Sequence, residues 1–164
     1  MLFNRLALAA AVVTLVACGG GSDSAPAAES TPAADAAPAA AATGAIAYAA
    51  PTGTTHEVKM VGDDKGYRFE PAELTIKAGD AVKFVAVSGF PHNVAFVATG
   101  LAEDVKKQLD ANFGTFRMAE LSSNMYTIAG ESATISFANI PAGKYEFNCT
   151  PHLAMGMKGV VTVQ

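Results

Sequence analysis

From residue 56 onward, apolar and polar positions alternate in short runs broken by turns. The first run is His56-Glu57-Val58-Lys59-Met60-Val61 and the second is Leu74-Thr75-Ile76-Lys77. After the turn Ala78-Gly79-Asp80 comes Ala81-Val82-Lys83-Phe84-Val85-Ala86-Val87, and further runs span residues 92–97, 133–137, 144–148 and 159–163. A period of two is the mark of strands with one buried face. About seven such runs at this spacing predict an all-β sandwich. One stretch departs from the pattern. Leu101, Val105 and Leu109 recur every four residues, with Glu103 and Asp104 ahead of Lys106 and Lys107, so residues 101–111 read as one short amphipathic helix. Its three apolar side chains are assigned to packing.

Upstream the texture is different. Residues 19–53 hold fifteen alanines broken by Pro26, Pro32, Pro38 and Pro51, after Gly19-Gly20-Gly21-Ser22. Each proline costs a helix about 3 kcal/mol, so the segment is expected to be a disordered or polyproline-like tether. As a flexible coil its ends would lie about 35 Å apart, and fully extended about 100 Å. Its alanines also inflate the 51% hydrophobic fraction, so the core must come from residues 54–164. Residues 1–17 read as a secretory signal, with Arg5 ahead of the twelve-residue run from Leu6 to Ala17, too short to span a bilayer. The run ends Leu15-Val16-Ala17-Cys18-Gly19, which resembles the lipobox of bacterial lipoproteins. That resemblance implies cleavage before Cys18 and lipidation of its thiol. It places the protein outside the cytoplasm, in the periplasm and anchored by lipid to a membrane, the outer one in a Gram-negative cell. The expected organisation is therefore signal 1–17, lipidated Cys18 with tether to residue 53, and one folded domain over 54–164.

Charge and cysteine content remove several function classes. Eleven basic and fifteen acidic residues give a net charge of −4 with no basic stripe, which excludes nucleic-acid binding. Two cysteines, Cys18 and Cys149, make no disulfide framework, and three histidines are too few for a multi-histidine metal enzyme.

Chemistry concentrates in Cys149-Thr150-Pro151-His152-Leu153-Ala154-Met155-Gly156-Met157, where thiol, imidazole and thioether fall within nine residues. Soft sulfur with imidazole selects copper or zinc. His92, in Gly89-Phe90-Pro91-His92-Asn93-Val94, is the candidate second imidazole. Two nitrogens, one thiolate and a weak axial methionine form the ligand set of a blue-copper electron-transfer site. Spacing from His152 alone leaves Met155 and Met157 both open as the thioether. His56 has no ligand-like neighbour in sequence and is expected to be exposed to solvent.

The stretch from Phe69-Glu70-Pro71-Ala72-Glu73-Leu74 to Ala78-Gly79-Asp80-Ala81-Val82-Lys83-Phe84 resembles a cupredoxin of the plastocyanin and pseudoazurin type. So do Gly89-Phe90-Pro91-His92-Asn93-Val94 and Tyr145-Glu146-Phe147-Asn148-Cys149-Thr150-Pro151-His152, and the likeness covers residues 56–164. It implies a Greek-key sandwich with one short helix, holding one copper by His92, Cys149, His152 and Met157. Met157 is preferred because the family places this ligand two residues before the glycine equivalent to Gly159. The implied role is a monomeric shuttle for single electrons, not an enzyme. The backbone N–H of Asn93 would donate to the copper-bound sulfur. An exposed ring edge of His152, surrounded by Phe90, Pro91, Leu153 and Ala154, would form an apolar docking patch for redox proteins that act as electron donor and acceptor. Asn148 replaces the tyrosine that plant plastocyanins carry there, so a photosynthetic partner does not follow. The segment 100–124 looks longer than in plastocyanin. The rival reading is a module for copper storage or delivery, against which stand Met60, Met118 and Met125, scattered rather than clustered. A Cys149/His152 nucleophile pair lacks a third orienting group.

Overall fold

The computed structural model describes residues 46–164. The signal, Cys18 and most of the expected tether lie outside the described residues. Among the described residues no helix is long and apolar enough to cross a membrane.

Two sheets face each other. The first has the order β2-β1-β4-β8, built from β1 (Thr55–Asp63), β2 (Gly66–Glu70), β4 (Ala81–Ala86) and β8 (Ser132–Ser136). The second has the order β3-β10-β9-β5-β7-β6. Its strands are β3 (Glu73–Ile76), β5 (Ala95–Phe96), β6 (Arg117–Ala119), β7 (Ser122–Ser123), β9 (Gly143–Asn148) and β10 (Lys158–Val163). β1 runs parallel to β4 and β3 parallel to β10, while the other pairings are antiparallel. This is the sandwich the alternation predicts, with strand β2 and the short pair β6 and β7 in addition. The expected strand over 92–97 shrinks to Ala95–Phe96, because His92 is held by a single two-way bridge to Tyr126 instead of a ladder. Helix α1 covers Glu103–Ala111. Leu109 is buried, and Leu101 and Val105 pack against the core, as the four-residue period requires.

The core is aromatic where the sheets meet. Phe69 and Phe84 from the first sheet meet Phe147 from the second at centroid separations of 4.7 and 5.2 Å, with rings inclined at 75° and 73°. Edge-to-face pairs of this kind add about 0.5–1.5 kcal/mol each to the burial of the rings themselves. Phe113, just beyond α1, inserts beside Phe96 at 5.9 Å. The segment 100–124 therefore closes the edge of the second sheet and contributes to its core. Asp110 secures it by accepting the Leu121 N–H at 2.7 Å and pairing with Arg117.

Two expectations need correction. His56 is not a free surface residue, since its Nε2 lies 2.8 Å from Asp80 Oδ2. The Asp80 carboxylate also accepts the N–H groups of Thr54 and Lys77, and these contacts, His56 first, hold it below the usual carboxylate range. Structure also begins before residue 54. Ala49 N–H donates to Asn112 Oδ1, Ala47 C=O accepts from Gln108, and the N–H groups of Thr52 and Gly53 donate to Gly79 C=O. Asn112, fully buried, also donates to Ser136 and Ala138, so one amide fastens this segment, the helix end and β8. Such long-range amide contacts have no periodic signature in sequence.

Gly159 pairs with Phe147, and a Cβ at 159 would stand 2.4 Å from the Phe147 ring and 2.6 Å from the Ala72 carbonyl oxygen. Gly159→Ala is expected to lower the unfolding free energy by about 1–3 kcal/mol through overpacking. Gly143→Ala, whose Cβ would meet only ordinary contacts at 3.6 Å, should change it by less than about 0.5 kcal/mol. Urea unfolding of the metal-free protein checks both.

Candidate metal centre

Side chains on β9 alternate, so Tyr145 and Phe147 point into the core and Cys149, the next residue in that register, does too. Beyond it the chain forms a 3-10 turn, Thr150–Met155, ended by Gly156 at φ 84°, a left-handed conformation suited to glycine. The turn folds back so that Cys149 N–H donates to Met157 C=O at 3.1 Å. That bond extends the β9–β10 ladder one step past the Asn148–Lys158 pair, which sets Cys149 opposite Met157. Residues directly opposite on antiparallel strands share a face. Met157 is fully buried, whereas Met155 is 57% exposed, so the two methionines that spacing left open differ in ladder position and in burial.

His92 arrives from the other side. Its ring is oriented by Nε2, which donates to the Ser88 carbonyl at 2.7 Å. A carbonyl can only accept, so the proton sits on Nε2 and the Nδ1 lone pair is free. Ser88 is pinned in turn, because its C=O accepts from Gly62 N–H and its Oγ donates to Gly62 C=O at 2.9 Å. Here backbone meets backbone. A Cβ on Gly89, at φ 77°, would lie 2.5 Å from the Gly62 Cα.

These supports bring three donor atoms together. Cys149 Sγ lies 3.5 Å from His92 Nδ1 and 3.4 Å from His152 Nδ1, and all three fall within 4.8 Å of one another. Cys149 and His92 are fully buried and His152 is 5% exposed. Nitrogen and sulfur bound to one ion at about 2.0 and 2.3 Å must lie within about 4.3 Å of each other. The two sulfur–nitrogen distances satisfy that, and soft sulfur with two imidazoles suits copper. Desolvation pushes both histidines below their usual range and the thiol above its own, while the backbone N–H groups of Asn93 and His152 oppose the shift at sulfur. Neutral imidazoles keep their lone pairs available, and a metal would displace the thiol proton.

Asn93 ties the two loops. Its Oδ1 accepts Thr150 N–H at 2.7 Å, and its Nδ2 donates to the hydroxyls of Thr150 and Ser122 at 3.1 Å. Of the expected surround, Pro91, Leu153 and Ala154 are exposed and Phe90 is half-buried. His152 keeps 5% of its surface exposed, and the Tyr67 ring stacks on its face at 3.7 Å and 17°. Tyr67, Ser88 and Tyr126 escaped the sequence reading. The only trace of Tyr67 is its place two residues before Phe69, on a strand too short to stand out. A groove of about 740 Å³ lies along β9 and β10 beside Glu146, Asn148 and Lys158, and none of the three donor residues lines it.

A β-sandwich with one short helix and a His-Cys-His cluster is the architecture of a cupredoxin. The model of the copper-binding proteins of the plastocyanin/azurin family matches residues 56–164, and the chain belongs to that family. It is 38% identical over 122 residues to a plastocyanin of Nostoc punctiforme, a match that covers 73% of this chain and 81% of the relative. A chloroplastic plastocyanin of Physcomitrium patens is 39% identical over 106 residues, 65% of this chain but only 56% of that protein's length. Among solved structures, oxidised plastocyanin from Dryopteris crassirhizoma superposes with a TM-score of 0.50 at 28% identity, which covers 66% of this chain and all of that one.

The ladder position of Met157 leads to a direct comparison. In the copper-loaded protein, Met157→Leu should shift the reduction potential and the visible spectrum, since the axial donor tunes such sites. Met155→Leu should leave both nearly unchanged. A reversed ranking by voltammetry and absorption would assign the thioether to Met155.

Proposed function

We propose that the domain carries single electrons on one copper held by His92, Cys149, His152 and Met157. The observation that carries this reading is the burial of the donors. Cys149 and His92 are fully buried and His152 is 5% exposed, which suits the passage of an electron and gives a substrate little contact with either imidazole. When bound, copper would supply one-electron chemistry between Cu(I) and Cu(II). The chain supplies rigidity: Ser88 orients His92, Asn93 joins the loops, and the Cys149–Met157 ladder step fixes the neck of the loop. Ligands held this firmly by two separate segments cannot relax far, which keeps reorganisation small. Redox partners, donor and acceptor alike, would dock on the apolar surface of Phe90, Pro91, Leu153 and Ala154. Transient contacts there suit fast exchange.

The setting we propose is the bacterial cell envelope. The run before Cys18 would direct export, and a lipid on that thiol would anchor a monomeric domain to the membrane while the tether lets it move between partners. Acyl chains contribute about 0.8 kcal/mol per buried methylene, and stable anchoring needs more than one chain.

The copper-loaded protein should be intensely blue and Cys149→Ser colourless, as read by absorption spectroscopy. A colourless wild type that takes up copper would overturn the carrier reading. Cys18→Ala should leave the copper spectrum unchanged and move the protein from the membrane to the soluble fraction. Mass spectrometry of the mature N-terminus, together with fractionation, checks that outcome.

A further inference from the structure

The two histidines of the cluster are held in different ways. His92 has its outer nitrogen fixed by the Ser88 carbonyl, whereas among the described residues no group hydrogen-bonds Nε2 of His152. His152 also sits on a 3-10 turn followed by four exposed residues, Leu153 to Gly156. Its main chain is tied to Cys149 and Met157, but these bonds do not set the ring's rotation. Two rings meet the His152 ring: His92 at 4.9 Å, inclined at 67°, and Tyr67, stacked on its face at 3.7 Å and nearly parallel. Tyr67 is itself well seated. It pairs directly with Gly62 across the β1–β2 ladder, and a Cβ on Gly62 would fall 2.7 Å from its Cε1. Gly62 therefore leaves the space that the phenol ring occupies, with the ring on Gly62 and His152 together.

We propose that Tyr67 is the positioning residue of His152, its ring taking the part that the Ser88 carbonyl plays for His92. The inference rests on the copper reading only for its metal-loaded arm. The flat face matters and the hydroxyl does not, so Tyr67→Phe retains the function and Tyr67→Leu, apolar but not flat, loses it. A stacked pair of this kind corresponds to roughly a twofold to tenfold change in an equilibrium or rate.

The test uses both variants in the full chain. In the metal-free protein at fixed pH, nitrogen-15 NMR of the imidazoles should show the His152 ring broadened or averaged in Tyr67→Leu and unchanged in Tyr67→Phe, with His92 as the internal reference. In the copper-loaded protein, loss of Cu(I) to a chelator should be about twofold to tenfold faster in Tyr67→Leu and within twofold of wild type in Tyr67→Phe. Wild-type behaviour of Tyr67→Leu in both measurements overturns the proposal. Equal loosening of His92 overturns it too, as does Tyr67→Phe matching Tyr67→Leu, or loss of the β-sheet circular dichroism in Tyr67→Leu, which would make Tyr67 a core support. A wild type that is not blue refutes the copper reading instead and leaves the NMR comparison standing.

Discussion

Two imidazoles and a thiol are buried together at one end of an apolar core, and the rest of the structure answers to that fact. Burying a polar group without a partner costs about 1–3 kcal/mol on protein scales. The inner lone pairs of these three groups face one another and find no protein donor that would satisfy them fully. Desolvation then keeps the imidazoles neutral, which is the form a metal requires.

The frame achieves this with few elements. Alternation along β9 places Tyr145, Phe147 and Cys149 on one face, so the aromatic contact that joins the sheets and the sulfur of the cluster are consecutive positions of one register. A slip of one residue would turn Cys149 outward. Two features guard that register. Gly159 gives the Phe147 ring its space, and the hydrogen bond from Cys149 to Met157 carries the ladder to the mouth of the loop. On the opposite side Gly62 and Gly89 let two backbone segments touch, which sets the Ser88 carbonyl where the His92 ring needs it.

How much of this could be read in the sequence depended on range. The strands around Val58, Phe84, Ile135 and Phe147 were legible because burial on one face repeats every second residue. The Cys149 loop was legible because its donors are close in sequence and chemically uncommon. Strand β2 has only Tyr67 and Phe69 on its inner face, too few to form a pattern. The partner of His56 is Asp80, and that of Ala49 is Asn112, contacts set by the packing of distant segments. The ring that covers the face of His152 was illegible for the same reason. It comes from a strand 85 residues earlier in the chain, and no spacing rule near His152 could announce it.

That cover also bears on how a buried cluster communicates with its surroundings. His92 is deep and tied to the carbonyl of Ser88, a residue that is itself tied to Gly62 through both its carbonyl and its hydroxyl, so it belongs to the rigid interior. His152 is the histidine of the cluster nearest to water, with no hydrogen bond on its outer nitrogen and a half-buried phenol against its face. The surface proposed for docking, Leu153 and Ala154 beside Phe90 and Pro91, surrounds the less restrained of the two rings. A partner resting there would press on the turn that carries His152, and a second hydrogen bond to that ring would have to come from the turn or from the surface that the partner needs. An aromatic face meets the conflict better. It restrains the imidazole by contact over its plane, needs no polar group at the rim, and leaves the ring edge clear.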